Sequence, residues 1–517
     1  MFNRVKLLKS LTVLLKNFKR SNWTKICHYF TICLILLGLI VRLIQYLSNR
    51  SLWGDEVNLA LNIIHRSYLE LTQTLDYNQA APLGFLWLEK LATQIFGNSE
   101  YALRLLPFTA SIVSLGVFYR LTRLYSSSLG GVIAIAHFAC GRYTLYFATE
   151  LKPYSSDVAI ALILFWLLSR VHHRLLRVKE IIALAILGSL AIWFSYPSVF
   201  ILAGLEAWNL TASSKRWYKI IVNRIGIYLT WVVSFGLLYV VTIADTLTNE
   251  DLSSSWSARY PDSFGDILWL FDALGRFFYH PMGFSGIADG IGIFAFIVGC
   301  VAWYHRDRRI FIALIAPFIV TIFAAYLRQY PFRDRLVLFL APLGILIVAE
   351  GIVLLLTQLR KINLANGYRC WLFGLLGIVC LYGLTVPAIS RASNFIIYPE
   401  VKHEVRPVVE YVAARYQPGD KIYIYAGAVQ AFAYYVDLKD YSDLNYINGS
   451  TNFSQKGGIE ETRSQFATEI EPLSNRVWFV FRAEAEEELA ARKYLNLVGQ
   501  ELDSLQQPGA SAYLYQL

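Results

Sequence analysis

Apolar positions along this chain come in long unbroken runs, separated by short charged connections. The runs exceed the length of a core helix and match the roughly 20 residues that carry a helix across a bilayer. The first covers residues 26–47. Others fall at 101–122, 129–148, 155–170, 180–198, 199–213, 225–244, 286–304, 310–327, 336–357 and 371–390. The pattern predicts about eleven transmembrane helices. The run at 199–213 is short, and Pro197 just before it predicts a broken pair with its predecessor. Between the first two runs, Leu59, Ile63 and Ile64, then Phe85, Leu88 and Leu91, recur at helical spacing. They predict amphipathic helices lying on the membrane surface. After residue 391 the pattern changes. A helix is expected over Val405–Tyr416, ending at Pro418-Gly419-Asp420. Strands are expected over Lys421–Tyr425, Arg476–Phe481 and Ala512–Leu517, with a charged helix over Ala483–Leu497. The chain divides into a basic arm at 1–25, a transmembrane region at 26–391 and a small soluble α/β domain at 392–517.

Composition agrees. The chain is 56% hydrophobic and 16% charged, where a soluble protein carries about 25% charge. The class is a polytopic α-helical membrane protein. The net charge of +10 does not indicate nucleic acid, because the basic residues sit in short loops beside apolar runs. One side carries Arg170, Arg174, Arg177 and Lys179, then Lys215, Arg216, Lys219 and Arg224, then Arg306, Arg308 and Arg309, then Arg360, Lys361 and Arg369. The other side carries most acids, among them Asp55, Glu56, Glu89, Glu150, Asp262 and Asp266. The positive-inside rule then expects a multi-pass protein of the cell (inner) membrane, with its N-terminus cytoplasmic and its C-terminal domain extracytoplasmic. The outer loops are 48–100, 149–154, 245–285 and 328–335. The first run has full spanning length and no small-residue cleavage site, so it reads as an uncleaved span. The six cysteines lie in or at the ends of apolar runs without metal-ligand spacing, as buried small hydrophobes do.

Candidate chemistry lies on the acidic side. Ser51-Leu52-Trp53-Gly54-Asp55-Glu56 places two adjacent carboxylates just past the first span. Partial desolvation and mutual repulsion would raise their proton affinity, which suits a general base; a solvated loop start is the plainer alternative. Glu150-Leu151-Lys152-Pro153-Tyr154-Ser155-Ser156-Asp157 is a second cluster. There Asp157 equally suits the N-terminal end of a helix dipole. Arg104 lies a few residues into a span, a costly position unless it pairs or snorkels. Arg328, Arg333 and Arg335 flank Tyr330-Pro331-Phe332 on the outer side, against the orientation rule. They suggest an anionic ligand, since guanidinium matches phosphate geometry. Arg276, Tyr279 and His280 are weaker candidates.

Trp53-Gly54-Asp55-Glu56, Ala81-Pro82-Leu83-Gly84-Phe85, Gly97-Asn98-Ser99-Glu100 leading to Arg104-Leu105-Leu106-Pro107, and Tyr330-Pro331-Phe332 with its arginines together resemble the GT-C glycosyltransferases. Within these, they are most similar to family 39 relatives: protein O-mannosyltransferases, aminoarabinose transferases and Rgt-type sugar transferases. The resemblance covers roughly residues 25–390. It implies GT-C architecture and transfer of a hexose or pentose from a polyprenyl-phosphate donor to a lipid, glycan or protein acceptor at the extracytoplasmic face. It makes Asp55 the base and Glu56 its orienting partner. Asp157 and Glu150 would position the acceptor or help hold a divalent cation, Mg2+ or Mn2+, with Asp55 and Asp157 as the candidate metal ligands. Arg104, Arg333 and Arg335 would hold the donor phosphate, with Lys152, Tyr154, Tyr330 and His280 as further substrate-binding residues. A phosphate leaves readily, so one base and one cationic clamp suffice for direct displacement with inversion. Hydrolases, in contrast, need two carboxylates across the bond.

Three other readings compete, the third being a sensor whose C-terminal outer domain binds a ligand. A transporter or flippase for a lipid-linked or anionic substrate would place ionisable residues near the bilayer midplane, where His137, Arg120 and Glu206 are candidates. A lipid-linked-glycan ligase would rest on a late basic outer loop. The tyrosines of the C-terminal domain, including Tyr423, Tyr425, Tyr434, Tyr435 and Tyr441, suit either core packing or stacking on sugars.

Overall fold

The computed structural model describes every residue except 1, 212–216, 245–255, 258, 359–366, 451–458 and 483–484. Part of the second long outer loop expected at 245–285 therefore lies outside the described residues. Among those described, eight helices are long and apolar enough to cross a bilayer. They are Asn22–Leu47, Glu100–Tyr125, Tyr154–Val171, Trp217–Ile243, Ile287–Arg306, Arg308–Tyr326, Asp334–Gln358 and Trp371–Ile397. The chain is thus a multi-pass membrane protein. The other three predicted spans are shorter helices, at Ser128–Cys140, Val178–Phe194 and Ser198–Ala207. The run predicted at 129–148 stops at Cys140 because Gly141, with φ −64° and ψ 138°, is extended and caps the helix. The next two helices are separated at Ser195-Tyr196-Pro197, the broken pair that Pro197 predicts. The basic arm continues into the first span as one helix, Phe2–Leu47. The side chains of residues 2–21, which would show its amphipathic character, lie outside the described set.

Two compact units divide the chain. One comprises residues 1–47, 80–86 and 105–399, and the other residues 48–79, 87–104 and 400–517.

The first unit is the helical bundle. The Ala341–Gln358 helix is its most buried span and packs against Ile287–Arg306, Gly367–Ile397 and Ser128–Cys140. Apolar attraction between helices is weak in lipid, so close backbone approach has to hold them. Gly299 and Gly351 provide it: a Cβ on Gly299 would strike the Ile347 carbonyl, and one on Gly351 the Ala295 carbonyl. Two of the bundle's buried acids are satisfied internally. Glu206 accepts from Arg224 (2.7 Å), Asn209 (2.7 Å) and Tyr228 (2.8 Å). Glu350 accepts from the Ser127 N–H (2.6 Å) and pairs with Arg306 (3.0 Å).

The second unit is built on a five-stranded sheet. Its strands are β1 (Lys421–Ile424), β2 (Tyr446–Asn448), β3 (Arg476–Phe481), β4 (Gln500–Gln507) and β5 (Ala510–Gln516), in the order β2-β1-β3-β5-β4. The strand β1 runs parallel to β2 and β3, while β5 is antiparallel to β3 and β4. Central β3 is apolar almost throughout and buried. Edge β4 alternates between exposed and half-buried positions, so the register puts one face in water. Tyr423, Tyr425, Tyr513 and Tyr515 fill the core on one side of the sheet, and the hydroxyls of Tyr423 and Tyr425 bond Glu469 and Glu487. Core packing is therefore the role the structure gives Tyr423 and Tyr425.

Gly299→Leu should force the two central helices apart at a cost of about 1–3 kcal/mol. It should lower the thermal unfolding midpoint of the detergent-solubilised protein. Gly226→Leu, at a position with open space around its Cβ, should leave the midpoint nearly unchanged.

Candidate functional site

In the second unit, the residues after the first span are pinned from several directions. The Leu52 N–H donates to the Tyr435 hydroxyl at 2.7 Å. The Ser51 hydroxyl donates to Glu404 at 3.0 Å and accepts from the Arg406 N–H at 3.2 Å. Arg406 also reaches Glu100 at 2.7 Å and the Asn49 carbonyl at 2.5 Å. The Lys402 ammonium lies 3.5 Å from the centre of the Trp53 ring.

The helix Gly54–His65 starts on this anchored segment, with Asp55 and Glu56 in its first turn. Successive helical side chains diverge by about 100°, and the two carboxylates part accordingly. Glu56 is fully buried and takes a bidentate pair of bonds from Arg104, at 2.9 and 2.6 Å. Arg104 spends its remaining reach on the carbonyls of Arg50 (2.5 Å) and Ser51 (3.1 Å). Asp55 is half-buried and lies in the field of Arg482, from the end of β3. Burial pushes the Arg482 guanidinium below its ordinary pKa, and Asp55 pulls it back. A Cβ on Gly54 would occupy the Arg482 guanidinium, which explains the glycine in the Trp53-Gly54-Asp55-Glu56 motif. Arg482 gave no signal in the sequence, because its neighbours there are unrelated to residue 55.

In the first unit, a separate cluster surrounds the start of the Tyr154–Val171 helix. Tyr154 and Asp157 are buried in its first turn, and Glu150 and Lys152 are buried in the turn before it. Asp157 sits beside Ser195 and Tyr196, in the break after the Val178–Phe194 helix. The Tyr196 hydroxyl donates to the Ala81 carbonyl at 2.9 Å, tying in the Ala81-Pro82 motif. Burial, and after it the Asp157 carboxylate, pushes the Tyr330 hydroxyl well above its ordinary pKa, so it stays a donor and reaches the Leu336 carbonyl at 2.8 Å. The Arg335 guanidinium lies 5.6 Å from the centre of the Tyr154 ring. His280 packs on Tyr143 at 3.7 Å between ring centres. Burial lowers its pKa to about 4, against the pull of Asp334 and together with Arg335 and Arg142, so the imidazole is neutral at physiological pH. Arg333 turns instead to Asp272 (2.8 Å), which also binds Arg276 (2.8 Å). Hydrogen bonds from these two arginines outweigh desolvation and hold the Asp272 carboxyl below its usual range. The i,i+4 spacing of Asp272 and Arg276 was legible in the sequence; Asp272 as the partner of Arg333 was not.

The structure therefore brings together Tyr154, Asp157, Tyr330, Arg335 and His280, with Glu150 and Lys152 in the adjoining turn. It pairs Glu56 with Arg104 in the other unit and engages Arg333 with Asp272. Among the described residues, no three His, Cys, Asp or Glu side chains gather as a metal-ligand set.

Comparison with known proteins bears on the fold. Residues 80–243 match the family model described as dolichyl-phosphate-mannose-protein mannosyltransferase. The structure of ArnT from Cupriavidus metallidurans bound to undecaprenyl phosphate aligns over 96% of this chain and 98% of that one, with a TM-score of 0.50 and 11% identity. The chain has the GT-C glycosyltransferase fold. The apo state of the same ArnT aligns with a TM-score of 0.49 and 13% identity over 96% and 98% of the two chains, and the Archaeoglobus fulgidus oligosaccharyltransferase in complex with zinc and sulfate with 0.49 and 12% over 94% and 72%. No curated protein matches this GT-C chain by sequence.

Two stability measurements probe the buried acids. Glu56→Gln should leave Arg104 buried without its counter-ion, costing about 3–5 kcal/mol, and Glu56→Gln/Arg104→Gln should recover part of that loss. An unfolding midpoint equal to wild type in Glu56→Gln would refute the structural pairing. Glu89 is fully buried with neither carboxylate oxygen bonded, and desolvation raises its pKa well above the ordinary value. The folded state therefore binds its proton more tightly than the unfolded chain and is penalised as pH rises above about 4.3. Glu89→Gln should raise the unfolding midpoint at pH 7–8, and that gain should shrink as pH falls towards 4.

Proposed function

We propose that this chain transfers a sugar from a polyprenyl-phosphate donor to a lipid, glycan or protein acceptor at the extracytoplasmic face of the cell membrane. The observation that carries this reading is the cluster of Arg335, Tyr154, Tyr330, neutral His280 and buried Asp157 at the ends of membrane spans, in a chain with the GT-C fold. Undecaprenyl phosphate bound to ArnT supports the donor class. The alternation of basic and acidic loops supports the side of the membrane.

In this mechanism Arg335, with Lys152 nearby in the chain, stabilises the phosphate as it departs. Tyr330 and His280 present neutral hydrogen-bonding groups to the donor, and Asp157 with Glu150 positions the reacting sugar or the acceptor. Asp55 takes the proton from the acceptor hydroxyl. The hydroxyl oxygen bonds to the anomeric carbon as the bond from that carbon to phosphate breaks, and the electron pair leaves with the phosphate. The configuration inverts, and no protein acid is required. Glu56 and Arg104 act one step back, by holding the helix that presents Asp55. Arg333 reaches the donor only by exchanging Asp272. The transporter alternative loses one of its intramembrane acids, because Glu206 is already saturated by Arg224, Asn209 and Tyr228.

The test is transfer from labelled polyprenyl-phosphate sugars by purified protein in lipid. Asp55→Asn should lower turnover by about 10²–10⁴-fold, the usual worth of a general base, with donor affinity retained. Arg335→Ala should weaken donor affinity by about 10–100-fold, as expected for a lost hydrogen bond to a charged group. Turnover near wild type in Asp55→Asn would remove it as the base.

A further inference from the structure

A cavity in the helical bundle has no role in the reaction above. It measures about 170 Å³ and lies where the corner at residues 137–142, the corner at residues 282–288 and the last long helix meet. Its lining includes the polar residues Arg142, Arg391, Ser285 and His137 and apolar ones such as Phe284 and Pro387. No carboxylate lines it.

Arg391 is the informative residue. It stands within the Trp371–Ile397 span, near its C-terminal end. A charge at that depth needs a counter-ion or an escape to the interface. Its Nη1 donates to the Gly283 carbonyl at 2.8 Å and its Nη2 to the Ser285 hydroxyl at 3.1 Å. Both acceptors are neutral, and among the described residues Arg391 forms no ion pair. A guanidinium has five N–H donors, so donors remain for another ligand. His137 is buried, with Nε2 3.3 Å from the Thr385 hydroxyl, and adds a polar but not acidic surface.

We infer that this cavity binds the phosphate group of a membrane amphiphile, with Arg391 and Arg142 as its cationic walls and the apolar side receiving the start of the chain. Paired guanidinium donors suit a phosphate's oxygens. A lining that mixes guanidinium groups with apolar side chains suits a headgroup that continues into hydrocarbon. The site is distinct from the cluster around Tyr154 but close to it: Arg142 immediately precedes Tyr143, the ring that packs on His280. It therefore offers either a holding place for a polyprenyl phosphate or a seat for a phospholipid. The inference stands on the cavity's own residues and does not depend on the reaction proposed above.

Native mass spectrometry of the purified protein, titrated separately with undecaprenyl phosphate, phosphatidylglycerol and phosphatidylcholine, tests it. A thermal-shift titration with inorganic phosphate forms a fourth arm. At least one of the phosphate lipids should be retained about tenfold less by Arg391→Ala. Arg391→Lys should keep most of that retention. Arg142→Ala, at an exposed position, should also weaken retention. Arg335→Ala, which acts at the other cluster, should leave the retention of phosphatidylglycerol and phosphatidylcholine unchanged. Preference for undecaprenyl phosphate over both phospholipids marks a holding site, and preference for a phospholipid marks a lipid seat. Retention equal to wild type in both Arg391→Ala and Arg142→Ala would overturn the inference. So would an effect of these variants confined to inorganic phosphate.

Discussion

One guanidinium organises the segment that follows the first span. Arg104 closes on both oxygens of Glu56 and on the carbonyls of Arg50 and Ser51. Four acceptors from two turns of chain are thereby fixed around a single buried charge. Breaking either partner leaves the other ionised in a dry environment, which is why such pairs enforce geometry even where they add little net stability. The Gly54–His65 helix then has one direction available, and Asp55 is presented away from Glu56, towards Arg482.

The helical bundle obeys the same economy by other means. Glu206 and Glu350 are each surrounded by donors. Close contact at Gly299 and Gly351 then gives the central helices their packing. Against that background, the polar groups near Asp157 stand out. Its Oδ1 and the hydroxyls of Ser156, Ser195 and Ser198 are buried without bonds in the structure. Buried polar groups left unsatisfied cost about 1–3 kcal/mol each. A ligand that supplies partners to them would recover that cost, as expected where a polar substrate binds.

Much of this was legible in the chain itself. Membrane residence followed from run length and from the separation of basic and acidic loops. The break at Pro197 and the strand Arg476–Phe481 were readable from local stereochemistry and hydropathy. The cluster residues were all nominated from the sequence: Asp157, Arg335 and His280 as charged or titratable groups near span ends, and Tyr154 and Tyr330 through the family resemblance. The structure changed their partners. Arg333 meets Asp272, Arg104 meets Glu56, and three predicted spans are helices of 10–17 residues.

Run lengths, turn formers and charge alternation depend on neighbours in the chain, so the sequence alone determined the class, the helices and which residues are chemically able to act. Which carboxylate is spent on an arginine and which stays accessible depends on groups hundreds of positions away, as Arg482 beside Asp55 shows. Only the tertiary structure decided that, because a side chain's charge state and free valences are set by what is packed against it, and packing brings together segments whose order in the chain carries no record of the meeting.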